Sequence, residues 1–465
     1  MLKTLILNDI RQNIMSLRLQ VMLIIVLLVF IVGSIAFIYQ YKADIDDYQI
    51  YSDKSKADLI SQTGRNVSEV AVEKRDYIFK PGASAFIENA KSQYIPNTVA
   101  YNAYNVFGYS ISRRTGNPYL YQSQELSWSF IVTIILSFAV LLLSFDAISG
   151  EKESHTLSLM VSNSVSRLVL IAAKYISIII TCFLVVLPGF IVSLLIVIAS
   201  GIVKTDAVIL FEVSLFIVAQ LFIITCIAAL GLFCSVVSRS SNVSLLLCLT
   251  LWLVFLIFSP NLAVFAAENV FKIIDSETVQ SEIESAKEAI NNAAPEGSWA
   301  MNYGNPFYSK HELRAKNQTN LMNAEKQISD EWYNAQFKQY QKATLLTYLS
   351  PLSVFGLISE SITANGYLRF RKNWDDLHIY QVQFLRWFKS IDANDPESPH
   401  WYNPFEGCST SRLPVKVEEI PQYTEKMISM QHRMTYAAPG LLLLITYSFI
   451  LFSVTAVLFN RYDVR

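Results

Sequence analysis

Charge is scarce in this chain. Asp, Glu, Lys and Arg make up 16% of its 465 residues, against about a quarter in soluble proteins, which argues against an ordinary soluble fold. Neither sign is in surplus: the formal net charge is −1, so no global basic field for nucleic acid and no acidic solvating tail is encoded. Cysteine is sparse too. Cys182, Cys226, Cys234 and Cys248 fall in apolar runs and Cys408 in a polar one, with no CxxC among them. That pattern offers no disulfide framework and no thiolate metal site, and the four read as small buried hydrophobes. No GxxxxGK motif followed by Ser or Thr occurs, so any ATP must be hydrolysed by another polypeptide. HExxH is missing as well, because His311-Glu312 is followed by Leu313, Arg314 and Ala315. With no serine nucleophile elbow either, the chain is not expected to be an enzyme, nor to hold a metal or cofactor of its own.

What the chain does have is apolar length. Hydrophobic residues reach 52% and mean hydropathy is +0.34. Residues 1–20 mix Leu2, Leu5, Ile6, Ile10, Ile14 and Leu17 with Lys3, Asp9, Arg11 and Arg18 at helical spacing, the pattern of an interfacial amphipathic helix. Six membrane spans are predicted at 21–38, 128–145, 168–202, 207–237, 243–267 and 436–460. An even number puts both termini on one side. Lys3, Arg11, Arg18, Lys152, Arg167, Lys174, Arg239, Arg461 and Arg465 flank the short connections and make that side cytoplasmic.

Two long polar inserts, 39–127 and 268–435, are expected to form one composite extracytoplasmic α+β domain, the second part mostly helical. In the first, the helix continues to about Leu59, with short strands at 67–79 and 98–111. A tyrosine cluster, Tyr101, Tyr104, Tyr109, Tyr119 and Tyr121, reads as packing or an interfacial belt ahead of sugar stacking. In the second, helices are predicted at 270–294, 313–349 and 368–391, and the apolar stretch 345–362 should pack against the outer mouth of the bundle. The proline-rich run 392–421 is a return loop, and 461–465 a short cytoplasmic tail.

Three local features invite chemistry. Pro188-Gly189 interrupts the third span and predicts a kink or break, which suits a substrate path and ordinary packing about equally. Met427, Met430 and Met434 at i, i+3 and i+7 share one helix face. His432 lies about 140° away, so packing is favoured over a Cu(I) site. The third is the charged stretch 145–174 between two spans, FDAISGEKESHTLSLMVSNSVSRLVLIAAK. Its Glu151-Lys152-Glu153 precedes Leu157, Met160, Val161, Val165 and Leu168 at helical spacing, which fits either a short amphipathic helix across a membrane face or a solvated loop with internal ion pairs.

That stretch resembles the segment between the second and third membrane helices of ABC-type-2 transporter permeases. Glu151, Glu153, Thr156, Leu157, Val165, Ser166, Arg167 and Lys174 match the family pattern, whereas His155, Ser164 and Ala173 stand where it usually has Gly, Pro and Gly. Ser238-Arg239-Ser240-Ser241 is similar to the family's short turn before the fifth helix. Leu349-Ser350-Pro351-Leu352-Ser353 and Arg461-Tyr462-Asp463-Val464-Arg465 resemble motifs of the subgroup with a large external insert before the last helix. The resemblance implies a membrane subunit that pairs with a second copy and with two separate ATPase subunits, which bind the ATP and Mg. The stretch at 146–167 would be the coupling helix, with Leu157, Met160 and Val161 as apolar anchors and Glu151, Glu153, His155, Thr156 and Arg167 orienting it. Such a protein resides in the bacterial cytoplasmic membrane and acts as an exporter of an unidentified substrate. The alternatives are a mechanotransmitting or assembly subunit acting on an external partner without moving cargo, and an adhesion or receptor protein with no ATPase.

Overall fold

The computed structural model describes residues 2–61, 64–89, 95–111, 126–157, 166–296, 298, 311–407 and 409–462. Six of its helices are long and apolar enough to cross a membrane. Helix α1 (Leu2–Met15) leans on the third of these six and buries no residue of its own. A break at Ser16 separates it from α2 (Leu17–Ser61). With no Gly or Pro between Tyr39 and Ser61, α2 runs on for 45 residues, about 68 Å at 1.5 Å per residue, far more than a bilayer core of about 30 Å requires.

The second spanning helix, α4, covers 128–144 and contains a π-helical turn, Ile131–Leu136. Ser137 Oγ donates to the Thr133 and Ile134 carbonyls in that turn and accepts from Trp252 Nε1 at 2.8 Å. After the short α5 (Ser149–Glu153) come α6 (Arg167–Ser200) and α7 (Ala207–Val237), capped by Ser166 and Asp206. Next is α8 (Ser241–Val270), with a second π-turn at Val254–Phe258. The last spanning helix, α13 (Met430–Arg461), starts six residues earlier than hydropathy implies, where Ser429 caps it.

Arg167 reaches the carbonyls at the end of α13, and Arg18 at the start of α2 meets Asp146 beyond α4. Both termini therefore lie at one end of the bundle, the terminal end. The two inserts meet at the other end in a single head. Its core joins Val67, Val70, Val99, Tyr101 and Val106 of the first insert to Phe337, Phe370, Trp374, Leu377 and Phe384 of the second.

The head holds one described sheet, antiparallel in the order β1 (Arg75–Ile78), β2 (Thr98–Tyr101), β3 (Val106–Ser110). Arg75 pairs with Tyr101 and Thr98 with Ser110. Gly108 takes φ +133, and a Cβ there would stand 2.3 Å from the Tyr333 hydroxyl, so only glycine suits the position. The strand expected at 67–79 is half corrected. Its first part is a helix, α3 (Val67–Val72), because the Asn66 side chain accepts from the Glu69 N–H and nucleates a turn, and only its last part is β1.

Around the sheet pack α10 (His311–Thr347) and α12 (Tyr367–Asp392), and α9 (Ser276–Ala293) lies against α10. Helix α11 (Pro351–Thr363) belongs to the bundle instead: Leu352, Val354, Phe355, Ile358 and Ile362 join its core against α7 and α13. The apolar character of 345–362 anticipates this seat.

Candidate functional site

A set of polar contacts gathers at the terminal end, where the chain turns out of α4. The N–H groups of Ile148 and Ser149 both donate to Ser235 Oγ on α7, each at 2.9 Å. One turn on, Lys152 Nζ donates to the Val236 and Ser238 carbonyls at 2.5 and 3.0 Å and sits 4.2 Å from the centroid of the Tyr462 ring. A cation at a helix C-terminus complements the partial negative charge of its unpaired carbonyls. The neighbouring carboxylate Glu151 pairs with Lys174 on α6 at 2.5 Å, with both side chains mostly buried. Glu153 accepts from Ser241 Oγ, at the start of α8, at 2.6 Å. Arg167 then donates to the Asn460 and Tyr462 carbonyls at 2.8 and 2.7 Å. Burial of Asp9 on α1 pushes its carboxyl above the usual range, with Lys174 partly offsetting this.

These bonds tie 146–157 to the ends of α6, α7 and α8, and α6 in turn to α13. Charge-assisted hydrogen bonds contribute about 1.5–3 kcal/mol each, so the ends should move as one plate. Leu157, expected as an outward anchor, is instead 3% exposed and packs among Ile148, Leu170, Ile171, Val236 and Phe459. The exposed positions are Glu153, Ser154, His155 and Thr156, while Met160 and Val161 lie outside the described residues. His155 takes φ +57, a left-handed backbone that favours glycine, and this is the position where the family pattern has Gly.

The remaining sequence-predicted residues lie elsewhere. Pro188 does not break α6, which is continuous from Arg167 to Ser200. Gly189 makes room for Phe30 of α2, whose ring would stand 2.4 Å from an added Cβ. Ser350 caps α11 by accepting from the Ser353 N–H, and its hydroxyl donates at 2.7 Å to the Phe255 carbonyl in the π-turn of α8. Pro351 takes the first helical position. The shared methionine face does not form, since Met427 precedes α13 and is 85% exposed. Only Met434 of the three packs on the bundle core. Among the described residues no group of three or more His, Cys, Asp or Glu could hold a metal ion. Asp392, His400 and Ser398 do meet in the head, but Asp392 accepts from both partners, so Ser398 faces carboxylate rather than imidazole and no nucleophile relay forms.

A family model described as ABC-2 family transporter protein matches residues 4–464. The chain belongs to that family. No curated protein gives a significant match. An ABC-2 permease is the membrane subunit of an ABC transporter and is generally not the catalytic one, in keeping with the lack of a phosphate-binding loop. In this ABC-2 permease the polar plate lies in the segment that the family pattern marks. Ser235, Lys152 as a tether and Tyr462 escaped sequence reading, because their partners are main-chain atoms or rings more than 80 positions away. The pair Glu212–Arg433, buried at the head end of α7 and α13, escaped because its two side chains stand 221 positions apart in the chain.

Proposed function

We propose that this permease couples ATP hydrolysis by two separate ATPase subunits, which bind the ATP and Mg, to export or extraction of a substrate at the bacterial cytoplasmic membrane. It works as a pair of copies, with the terminal end in the cytoplasm and the head outside. The orientation rests on Arg18, Lys152, Arg167, Arg239 and Arg461 at the terminal end. The observation that carries the reading is the plate: 146–157 is bonded to three spanning helices and, through Arg167, linked to a fourth. A push from a docked ATPase on Glu153, His155, Thr156 and the Met160-Val161 segment would reach all of them together. Helix α2 carries movement onward, since it passes from the bundle into the head without interruption.

Co-purification with an ABC ATPase, and stimulation of its ATPase activity, tests this. Met160→Asp should remove the stimulation while membrane insertion survives, because an unpaired charge in an apolar docking groove costs several kcal/mol. Wild-type stimulation in that variant would remove the docking assignment. A second reading, mechanotransmission to an external partner, draws on the same unbroken α2 and on a head built from both inserts. ATP-dependent solute or lipid flux in sealed vesicles supports export, and sustained ATPase activity without flux supports mechanotransmission.

A further inference from the structure

Helix α1 lies along α6 without burying any residue of its own. Its contacts pick out one ladder at four-residue spacing, Leu5, Asp9 and Asn13. Asn13 Nδ2 donates to Thr181 Oγ1 at 3.5 Å, and Lys174 is near enough to Asp9 to act on its charge. With about 100° between successive residues, the other three ladders follow. Ile6, Ile10 and Ile14 form one flank, which is wholly apolar, and Thr4, Asn8 and Gln12 form the other, which is polar and exposed. Opposite the bundle stands the fourth ladder, Lys3, Leu7, Arg11 and Met15, every member exposed. An apolar flank turned to hydrocarbon and a polar flank turned to water leave this outer ladder at the boundary between them, where lipid headgroups stand. Helix α2 agrees with that depth: just past the break at Ser16, Leu17, Val21, Ile24 and Leu28 form an exposed apolar strip on a spanning helix, and Ile14 leads into it. The charge at the boundary is of one sign. Lys3 and Arg11 stand about 12 Å apart along the axis, and neither has a partner among the described residues. Asp9, the only acidic residue of α1, is on the inner ladder, and Arg18, the next cation, is already paired with Asp146.

We propose that the outer ladder of α1 binds the headgroups of anionic phospholipids in the leaflet at the terminal end. Lys3 and Arg11 each take a phosphate, while Leu7, Met15 and the isoleucine flank rest among the first acyl carbons. Each basic side chain at such a surface strengthens binding roughly fivefold. A zwitterionic lipid offers the same phosphate with a compensating cation, so the ladder selects by net charge. The occupant is a lipid and not a soluble anion because half of the ladder and the whole of one flank are apolar. That this leaflet is the cytoplasmic one rests on the orientation given for the permease; the binding itself does not.

The test uses the full-length chain reconstituted into phosphatidylcholine vesicles that carry a trace of phosphatidylglycerol or phosphatidylcholine with a diazirine near the headgroup. Labelled peptides are mapped by mass spectrometry. At low salt the phosphatidylglycerol probe should label 2–18 about tenfold or more strongly than the phosphatidylcholine probe, and Lys3→Gln with Arg11→Gln should bring it down to the phosphatidylcholine level. Lys3→Arg with Arg11→Lys keeps both charges and should keep the preference, which separates loss of charge from loss of the helix. Equal labelling of 2–18 by the two probes, an unchanged preference in the glutamine double variant, or phosphatidylglycerol labelling confined to other peptides would overturn the proposal. Soluble glycerophosphoglycerol should compete poorly, and effective competition would assign the ladder to a free anion and overturn the lipid. Because no ATPase is present, failure here leaves the coupling reading standing, and loss of ATPase stimulation in Met160→Asp leaves this one standing.

Discussion

Replacing Arg433 by Met should destabilise the protein more than almost any other single change at a polar residue. Arg433 and Glu212 are 7% and 3% exposed and form an ion pair between α13 and α7. Arg433 also donates from Nε to the Ile428 carbonyl at 3.0 Å and from Nη1 to the Ile362 carbonyl at 3.1 Å, the latter at the end of α11. Removing the guanidinium leaves a buried carboxylate without its counter-charge, a loss of about 3–5 kcal/mol. Adding Glu212→Leu removes that stranded charge. What then remains is the two deserted carbonyls, about 1–2 kcal/mol together, so the double variant should regain about 2–3 kcal/mol over Arg433→Met. Denaturant or thermal unfolding of the purified full chain in detergent measures the difference. A double variant as unstable as the sum of its two single changes would refute the idea that an unpaired charge dominates this site.

Other expectations follow from single contacts. Ser350→Ala removes the α11 cap and the donor to the Phe255 carbonyl, and should cost about 1–3 kcal/mol in the same assay; no loss would mean that the π-turn finds another partner. Gly189→Ala drives a Cβ into the buried Phe30 ring, so a loss of about 1–3 kcal/mol is expected, and an unchanged midpoint would show that α2 can shift outward. In the head, burial pushes the Asp392 carboxyl up, but hydrogen bonds from His400, Ser398, Tyr402 and the Ser411 N–H outweigh it and hold the group below the usual carboxylate range. Its contribution is therefore complete above the unfolded value of about 3.9 and is lost as pH falls through the lower folded value. Asp392→Asn should lower head stability at neutral pH and flatten this acid limb, measured by tryptophan fluorescence against pH, and an identical acid limb in the variant would contradict the assignment.

Much of this architecture is legible in the residues because the physics behind it is local. Apolar length marks the six spans, the Ser350-Pro351 pair marks the start of α11, and the want of Gly and Pro after Tyr39 lets α2 run into the head. His155 is a sharper case, since a family glycine position filled by His still adopts the left-handed backbone. What escapes sequence reading is set by distant partners. Val67–Val72 looks like a strand by its β-branched residues, yet the Asn66 cap and its neighbours at 413–415 make it a helix. Leu157 has the spacing of an outward anchor but faces a pocket built by Leu170, Val236 and Phe459, none of which the local pattern reveals.

The central claim is that the plate, beyond the docking residues themselves, transmits the ATPase stroke. Arg167→Ala in the complex with its ATPase subunit tests it most directly, since Arg167 ties the start of α6 to the end of α13 without touching the outward face at Glu153 and Thr156. The account predicts that the ATPase still co-purifies while permease-dependent stimulation falls about tenfold or more, as expected when charge-assisted bonds of about 1.5–3 kcal/mol are lost. Full stimulation in that variant would contradict it.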